Sequence, residues 1–219
     1  MPATNLQDGA VKSSHRTFIH TLFNSVLQIP IRNITTLPRC NNNFVHLVNF
    51  STPVKADRSL SDQHGTHVVP KSTTKAVFRI GNPAAMFNHA AKIENTIAMM
   101  QLTRQALSAF DIVPKVYAWS SAGEPSGTGW ILEQYMSGIE IESKFHTELT
   151  RENQHYILSQ MAAILKAIQD FELPLKASGF GGLAFDDEAY IRACYRHNSL
   201  RQIDLRLSKA TATVDFETD

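Results

Sequence analysis

The sequence has few cysteines, no excess of charge of either sign and no long apolar run. Its 219 residues include only two cysteines, Cys40 and Cys194, far apart and with no second thiol or histidine at metal-ligand spacing. This excludes a disulfide framework and a zinc knuckle, and makes a reducing compartment the expected environment. The 21 Lys and Arg residues stand against 20 Asp and Glu, a formal net charge of +1. No strong field therefore draws the chain to nucleic acid or to an anionic membrane. No apolar stretch approaches the length of a bilayer span, and the N-terminus lacks the compact apolar core of a secretory signal. A cytoplasmic protein is the expectation, with the sequons at Asn33 and Asn49 unused. What is present is a 43% share of hydrophobic residues, enough to bury a sizeable core in one large domain or two small ones.

From Arg16 to Leu27, the residues Phe18, Leu22, Phe23, Val26 and Leu27 recur at helical spacing behind Lys12, His15 and Arg16. Two readings stand: a mitochondrial presequence, or an amphipathic helix packed on the domain. Asp8 and the small number of basic residues favour the second. Ile31 to Leu37 and Asn43 to Phe50 read as strands, joined by Pro38-Arg-Cys-Asn-Asn42, whose proline and asparagines are turn chemistry. The pair predicts an antiparallel hairpin. Ser51 to Thr74 is a long polar excursion, either mobile or functional, and Lys75 to Ile80 is a third strand closed by Gly81-Asn-Pro83.

Good helix formers and few breakers predict a long helix from Ala84 to about Ser108. Strands follow at Ile112–Trp119, where Pro114 confines the strand to an edge or itself to the first residues, and at Trp130–Met136. Thr150 to Phe171 predicts a second long helix, with Ile157, Met161, Ile164, Leu165 and Ile168 as one buried stripe. After a glycine-bearing turn at Ser178 to Leu183, a shorter helical piece is expected near Glu188 to Tyr195. Asp186 and Asp187 read as its N-cap and first-turn acid. Beyond Arg201 the pattern fades into an acidic tail.

Several local motifs occur in order: Asn43-Phe-Val, Val77-Phe-Arg-Ile, Ile97-Ala-Met-Met, Val113-Pro-Lys-Val-Tyr-Ala-Trp, Ile131-Leu-Glu-Gln-Tyr-Met-Ser-Gly and Gly181-Gly-Leu-Ala-Phe-Asp186. Together they resemble the fungal aminoglycoside-phosphotransferase-like proteins, which are similar to choline kinases and protein kinases, over residues about 31–185. The resemblance implies an α+β fold: a protein-kinase-like small lobe, made of an antiparallel sheet plus one long helix, then the hinge and the first helices of an incomplete large lobe. The implied layout is an N-terminal extension at 1–30, the small lobe and hinge at 31–138, partial large-lobe helices at 139–200 and a tail at 201–219.

The chemistry implied is phosphoryl transfer, in which positioning and charge neutralisation dominate. The resemblance puts the turn over the nucleotide phosphates at Cys40 to Asn43. Asn41, Asn42 and Asn43 then offer backbone N–H groups, and the alternative is an ordinary hairpin turn. Arg79 fills the place of the third-strand cation that holds the phosphates; the alternative is a surface arginine on an alternating strand. Gln134, Tyr135 and Met136 resemble the hinge that bonds the adenine edge through backbone groups, and would connect two lobes in any case. ATP and magnesium are the implied cofactors.

Other expected parts are missing. Thr96, not an acid, stands where the helix glutamate that orients the strand cation belongs. Glu94 is two residues away, about 200° around the helix axis, and reads as a solvated surface residue. After Asp186 neither a His-Gly-Asp with an asparagine five residues on nor a later magnesium-binding aspartate is expected, and Asp186 and Asp187 do not take their place. The one His-Gly pair, His64-Gly65, is followed by Thr66, so catalytic and metal-binding residues are expected to be absent. The Gly-x-Ser-x-Gly elbow, the His-Glu-x-x-His helix, the Walker loop and the dinucleotide fingerprint are absent as well. Three readings remain: a nucleotide-binding phosphotransferase relative that transfers phosphate poorly, a kinase-like binding module that meets a protein partner through an exposed apolar face, or a portion of a longer kinase.

Overall fold

A computed structural model describes residues 4–38, 42–85, 89–121, 127, 129–139, 141–142, 144–174, 182–186 and 190–194. Helix α1 (Thr4–Thr21) runs into a π-helical turn at Leu22–Leu27. The strands β1 (Ile31–Thr36), β2 (Asn43–Phe50), β3 (Lys75–Gly81), β4 (Val116–Ser120) and β5 (Trp130–Gln134) form one antiparallel sheet in the order β1-β2-β3-β5-β4. Helix α2 (His89–Ala106) lies between β3 and β4 in sequence, and α3 (Arg151–Gln169) follows the sheet. The α+β class, the β1–β2 hairpin, both long helices and the edge position of β4 agree with the sequence expectation.

Alternation along the strands divides the sheet into two faces. On one face His46, Val48, Phe50, Ala76, Phe78, Ile80, Trp130 and Leu132 are buried against Ile19, Phe23 and Leu27 of the N-terminal helical segment. Phe78 sits between Phe23, at 6.1 Å centroid to centroid, and Trp130, stacked at 5.2 Å. The amphipathic segment is therefore packed on the domain and contributes to its principal core. On the other face Ile93, Ile97, Ala98 and Leu102 of α2 cover Val116 and Ile131.

Three expectations require correction, and one pair of alternatives is narrowed. Of the two readings of the excursion from Ser51 to Thr74, mobile or functional, its folded backbone speaks against the first. Val69 is buried in the core, Arg58 and Val69 exchange backbone hydrogen bonds at 3.0 and 2.8 Å, and His67 N–H donates to the Val116 carbonyl on the outer edge of β4. The polar residues face water while a few apolar ones anchor the loop, which composition alone hides.

Helix α3 starts where expected, with Thr150 accepting from Asn153 N–H at 3.3 Å. Its apolar stripe is not buried, however: Met161 and Leu165 are 52% and 58% exposed, and no residue of the helix is buried. Periodicity marks a face able to pack but not what it packs against. The segment expected to be helical near Glu188 to Tyr195 instead holds strand β7 (Ile191–Cys194), paired with β6 (Gly182–Phe185). Asp186 lies at the turn between them rather than at a helix N-cap. It accepts from Tyr190 N–H at 2.8 Å and pairs with Arg192. Asp187, the turn at residues 178–181 and the tail at 201–219 lie outside the described residues.

Candidate functional site

Because His46, Val48, Phe78 and Ile80 turn to the α1 side, Val45, Leu47, Val77 and Arg79 share the opposite face of β2 and β3. Register places Val45 across from Arg79 and Leu47 across from Val77. Helix α2 covers β4 and β5 on this face, and Val45, Leu47 and Val77 remain half-buried. The result is a small apolar platform bounded by a cation on one side and by Tyr135 and Met136, after the end of β5, on the other.

Arg79 is the centre of this site. Its guanidinium donates to the Glu133 carboxylate at 2.7 Å and contacts the Met100 sulfur at 3.6 Å. Val77 pairs with Glu133 and Arg79 with Ile131, so the ion pair crosses diagonally between β3 and β5. The Glu133 side chain is only 9% exposed. Burial pushes its carboxyl above the usual range, and the neighbouring Arg79 charge and hydrogen bond pull it back. The Arg79 Nε is buried with no hydrogen-bond partner among the described residues. A buried donor of this kind commonly marks a place for water or a ligand oxygen.

The acid that pairs with the strand cation thus comes from β5. The expected place for it is on α2, whereas Glu133 stands one residue before the hinge motif. Thr96, at the expected helix position, is instead bonded to the Lys92 carbonyl at 2.7 Å. Glu94 is not a solvated surface residue. Its carboxylate accepts from Phe185 N–H at 3.1 Å while Asn95 accepts from Leu183 N–H at 2.7 Å, so two consecutive α2 side chains hold β6. No pattern along the chain marks this, since it requires β6 to be a strand.

At the turn end of the sheet, Asn43 pairs with Gly81. The Asn42 carbonyl accepts from Asn82 N–H at 3.2 Å and from Lys92 Nζ at 2.7 Å. Asn41 lies outside the described residues. At the hinge, Gln134 N–H donates to the Lys115 carbonyl at 2.7 Å, and its side-chain oxygen accepts from Lys115 N–H at 3.1 Å. Gln134 is therefore spent on joining β5 to the start of β4. Lys75 lies over the Tyr135 ring at 4.5 Å, and Met136 is exposed. No group of three metal-ligating side chains converges among the described residues. None of the described helices is long and apolar enough to cross a membrane.

A five-stranded antiparallel sheet with one long helix on the face that carries a strand cation, ending in a hinge, defines a protein-kinase-like small lobe. The family model described as the phosphotransferase enzyme family, APH, matches residues 60–215, and the chain belongs to that family. No curated protein matches the sequence. The match starts later than the motifs suggested, leaving β1 and β2 outside it, and runs further, through the segment where the pattern fades. Within that segment Asp204 is followed five residues later by Lys209, and Asp215 by Phe216. Neither aspartate stands in a His-Gly-Asp motif, and no asparagine follows Asp204 five residues later. They lie outside the described residues.

Proposed function

We propose that the chain binds a nucleoside triphosphate on the uncovered sheet face. The base lies on Val45, Leu47 and Val77 against Tyr135 and Met136, and the phosphates lie at Arg79 below the β1–β2 turn. The observation that carries this reading is the pairing of half-buried Arg79 with buried Glu133 beside an apolar platform that α2 leaves open. An exposed lysine would snorkel away from such a platform. Arg79 is instead fixed by Glu133 and offers a donor to an incoming oxygen. The apolar platform fits a flat base, and the unpartnered Nε fits a phosphate oxygen. No backbone hydrogen bond of Tyr135 or Met136 is found among the described residues, so their groups are available to a base edge.

ATP would supply the phosphoryl group transferred in this family. In this chain Arg79 would bind and orient the phosphates, and the platform would exclude water from the base. If Asp204 stood for the catalytic-loop aspartate of this family, Lys209 would fall in the place of the metal-binding asparagine. A lysine there adds a positive charge where a neutral ligand is required, so we read transfer as weak and binding as the retained activity.

The test is a thermal shift at millimolar ATP, with and without magnesium. Stabilisation follows the ratio of ligand concentration to its dissociation constant. A shift of a few degrees that falls by at least half in Arg79→Ala supports the reading; no shift in the wild-type chain removes it.

The exposed apolar stripe of α3 supports a second reading, a kinase-like binding module. Self-association or co-purification of a partner through Met161 and Leu165 is its expected outcome, and a strictly monomeric chain by light scattering opposes it.

A further inference from the structure

The nucleotide reading uses a single cation, yet a second one reaches the same place from the helix. Lys92 lies one turn before Thr96 on α2, on the helix face where a paired acid is expected. Its ammonium crosses to the Asn42 carbonyl at 2.7 Å, tying α2 to the end of the β1–β2 turn. It is half-buried, and no carboxylate among the described residues lies within ion-pair distance of it. Arg79, two strand positions before Gly81 and three residues before Asn82, is close enough for its charge to act on Lys92. Burial first, and that charge second, hold the Lys92 ammonium below the usual lysine range.

Two cations share one end of the site, and the one carboxylate paired there among the described residues, Glu133, is committed to Arg79 from the side of Val77, away from Lys92. Such a pair is electrostatically unfavourable until an anion enters, because each charge raises the cost of the other in a partly desolvated place. The Asn42 carbonyl is a weak neutral acceptor for an ammonium, and it keeps the Asn82 N–H if Lys92 leaves. The Arg79 Nε, buried and unpartnered, is a donor without an acceptor on the same side.

Resting on the nucleotide reading, we propose that Lys92 is a second phosphate-binding residue. It exchanges the Asn42 carbonyl for a phosphate oxygen, so that a polyphosphate is held between a helix cation and the strand cation Arg79. The site would therefore discriminate by phosphate number: a triphosphate reaches both cations and a nucleoside reaches neither. The lysine occupies the side of α2 on which a glutamate would neutralise the strand cation, so the positive field at the turn is larger here than in a lobe with that glutamate.

The experiment is isothermal titration of the full chain and of Lys92→Gln, Lys92→Arg and Arg79→Gln, using ATP, adenosine and inorganic tripolyphosphate as probes, with circular dichroism to confirm folding. Lys92→Gln is expected to weaken ATP and tripolyphosphate about tenfold, the loss of one charge-assisted contact. It should leave adenosine unchanged, and Lys92→Arg should restore most of the loss. If Lys92→Gln binds ATP like the wild type while Arg79→Gln is weakened, Lys92 is only a tether of the turn and the nucleotide reading survives. If tripolyphosphate binding depends on Lys92 but adenosine adds nothing to ATP affinity, the anion site stands and the nucleotide reading falls. Failure of the wild type to bind either phosphate probe overturns both.

Discussion

Gly65 shows how one backbone position joins the two halves of the lobe. It adopts φ +75°, and a Cβ there would lie 2.5 Å from Ile97 Cγ2 on α2 and 3.1 Å from Phe185 on β6. Any side chain must both enter the left-handed region and displace buried atoms. Gly65→Ala should cost roughly 1–3 kcal/mol, read as a lower urea midpoint; an unchanged midpoint would show that the loop can move aside. The role of Gly65 was hidden in the sequence. His64-Gly65 drew notice only as an imperfect motif, because its true neighbours are residues 32 and 120 positions away. Arg79 drew its expected role only from the resemblance of Val77-Phe-Arg-Ile to the family's third strand, since an arginine on an alternating strand is otherwise an ordinary surface residue. Its partner Glu133 was not legible, because cross-strand diagonals depend on a register that no single strand records.

At the scale of elements, α1 docks on the sheet through two buried histidines. The His15 and His46 rings meet edge to face at 5.5 Å, with Phe44 at 4.8 Å from His15 and the Thr36 hydroxyl 3.1 Å from His46 Nδ1. Burial is the main cause that lowers both rings. The charges of His15 and Arg16 lower His46 further, to about 4. A histidine whose folded value lies below its unfolded one binds fewer protons when folded. Stability is therefore full above the unfolded value of 6.5 and falls as pH drops from there toward about 4. Between pH 7 and pH 4.5 the lobe should lose on the order of 2 kcal/mol, measured by denaturant unfolding. His46→Phe should flatten that slope, and an equally steep slope in the variant would place the titration elsewhere.

The same scale explains what patterning can reveal. Both long helices and the five main strands follow from period and turn chemistry. The destination of the α3 stripe does not, since exposure depends on tertiary neighbours. Met161→Ser and Leu165→Ser, at exposed positions, should each change stability by less than about 0.5 kcal/mol. A loss of several times that would show that the stripe is covered.

For the whole molecule, the sheet order and the position of α2 define one face closed by helix α1 and another left partly open at β2 and β3. The family match from residue 60 to residue 215 joins this architecture to phosphotransfer. No acid stands at the helix position of Thr96, and the carboxylate that pairs with Arg79 comes from Glu133 on β5.

The most direct measurement of where the ligand lies is an amide chemical-shift titration of the full chain with ATP. Val45, Leu47, Val77, Arg79 and the Tyr135–Met136 segment are predicted to shift in a saturable way, while Val48, Phe78 and Phe23 on the α1 face stay still. Shifts confined to the α1 face or to α3, or none at millimolar ATP, would contradict nucleotide binding on the open face of the sheet.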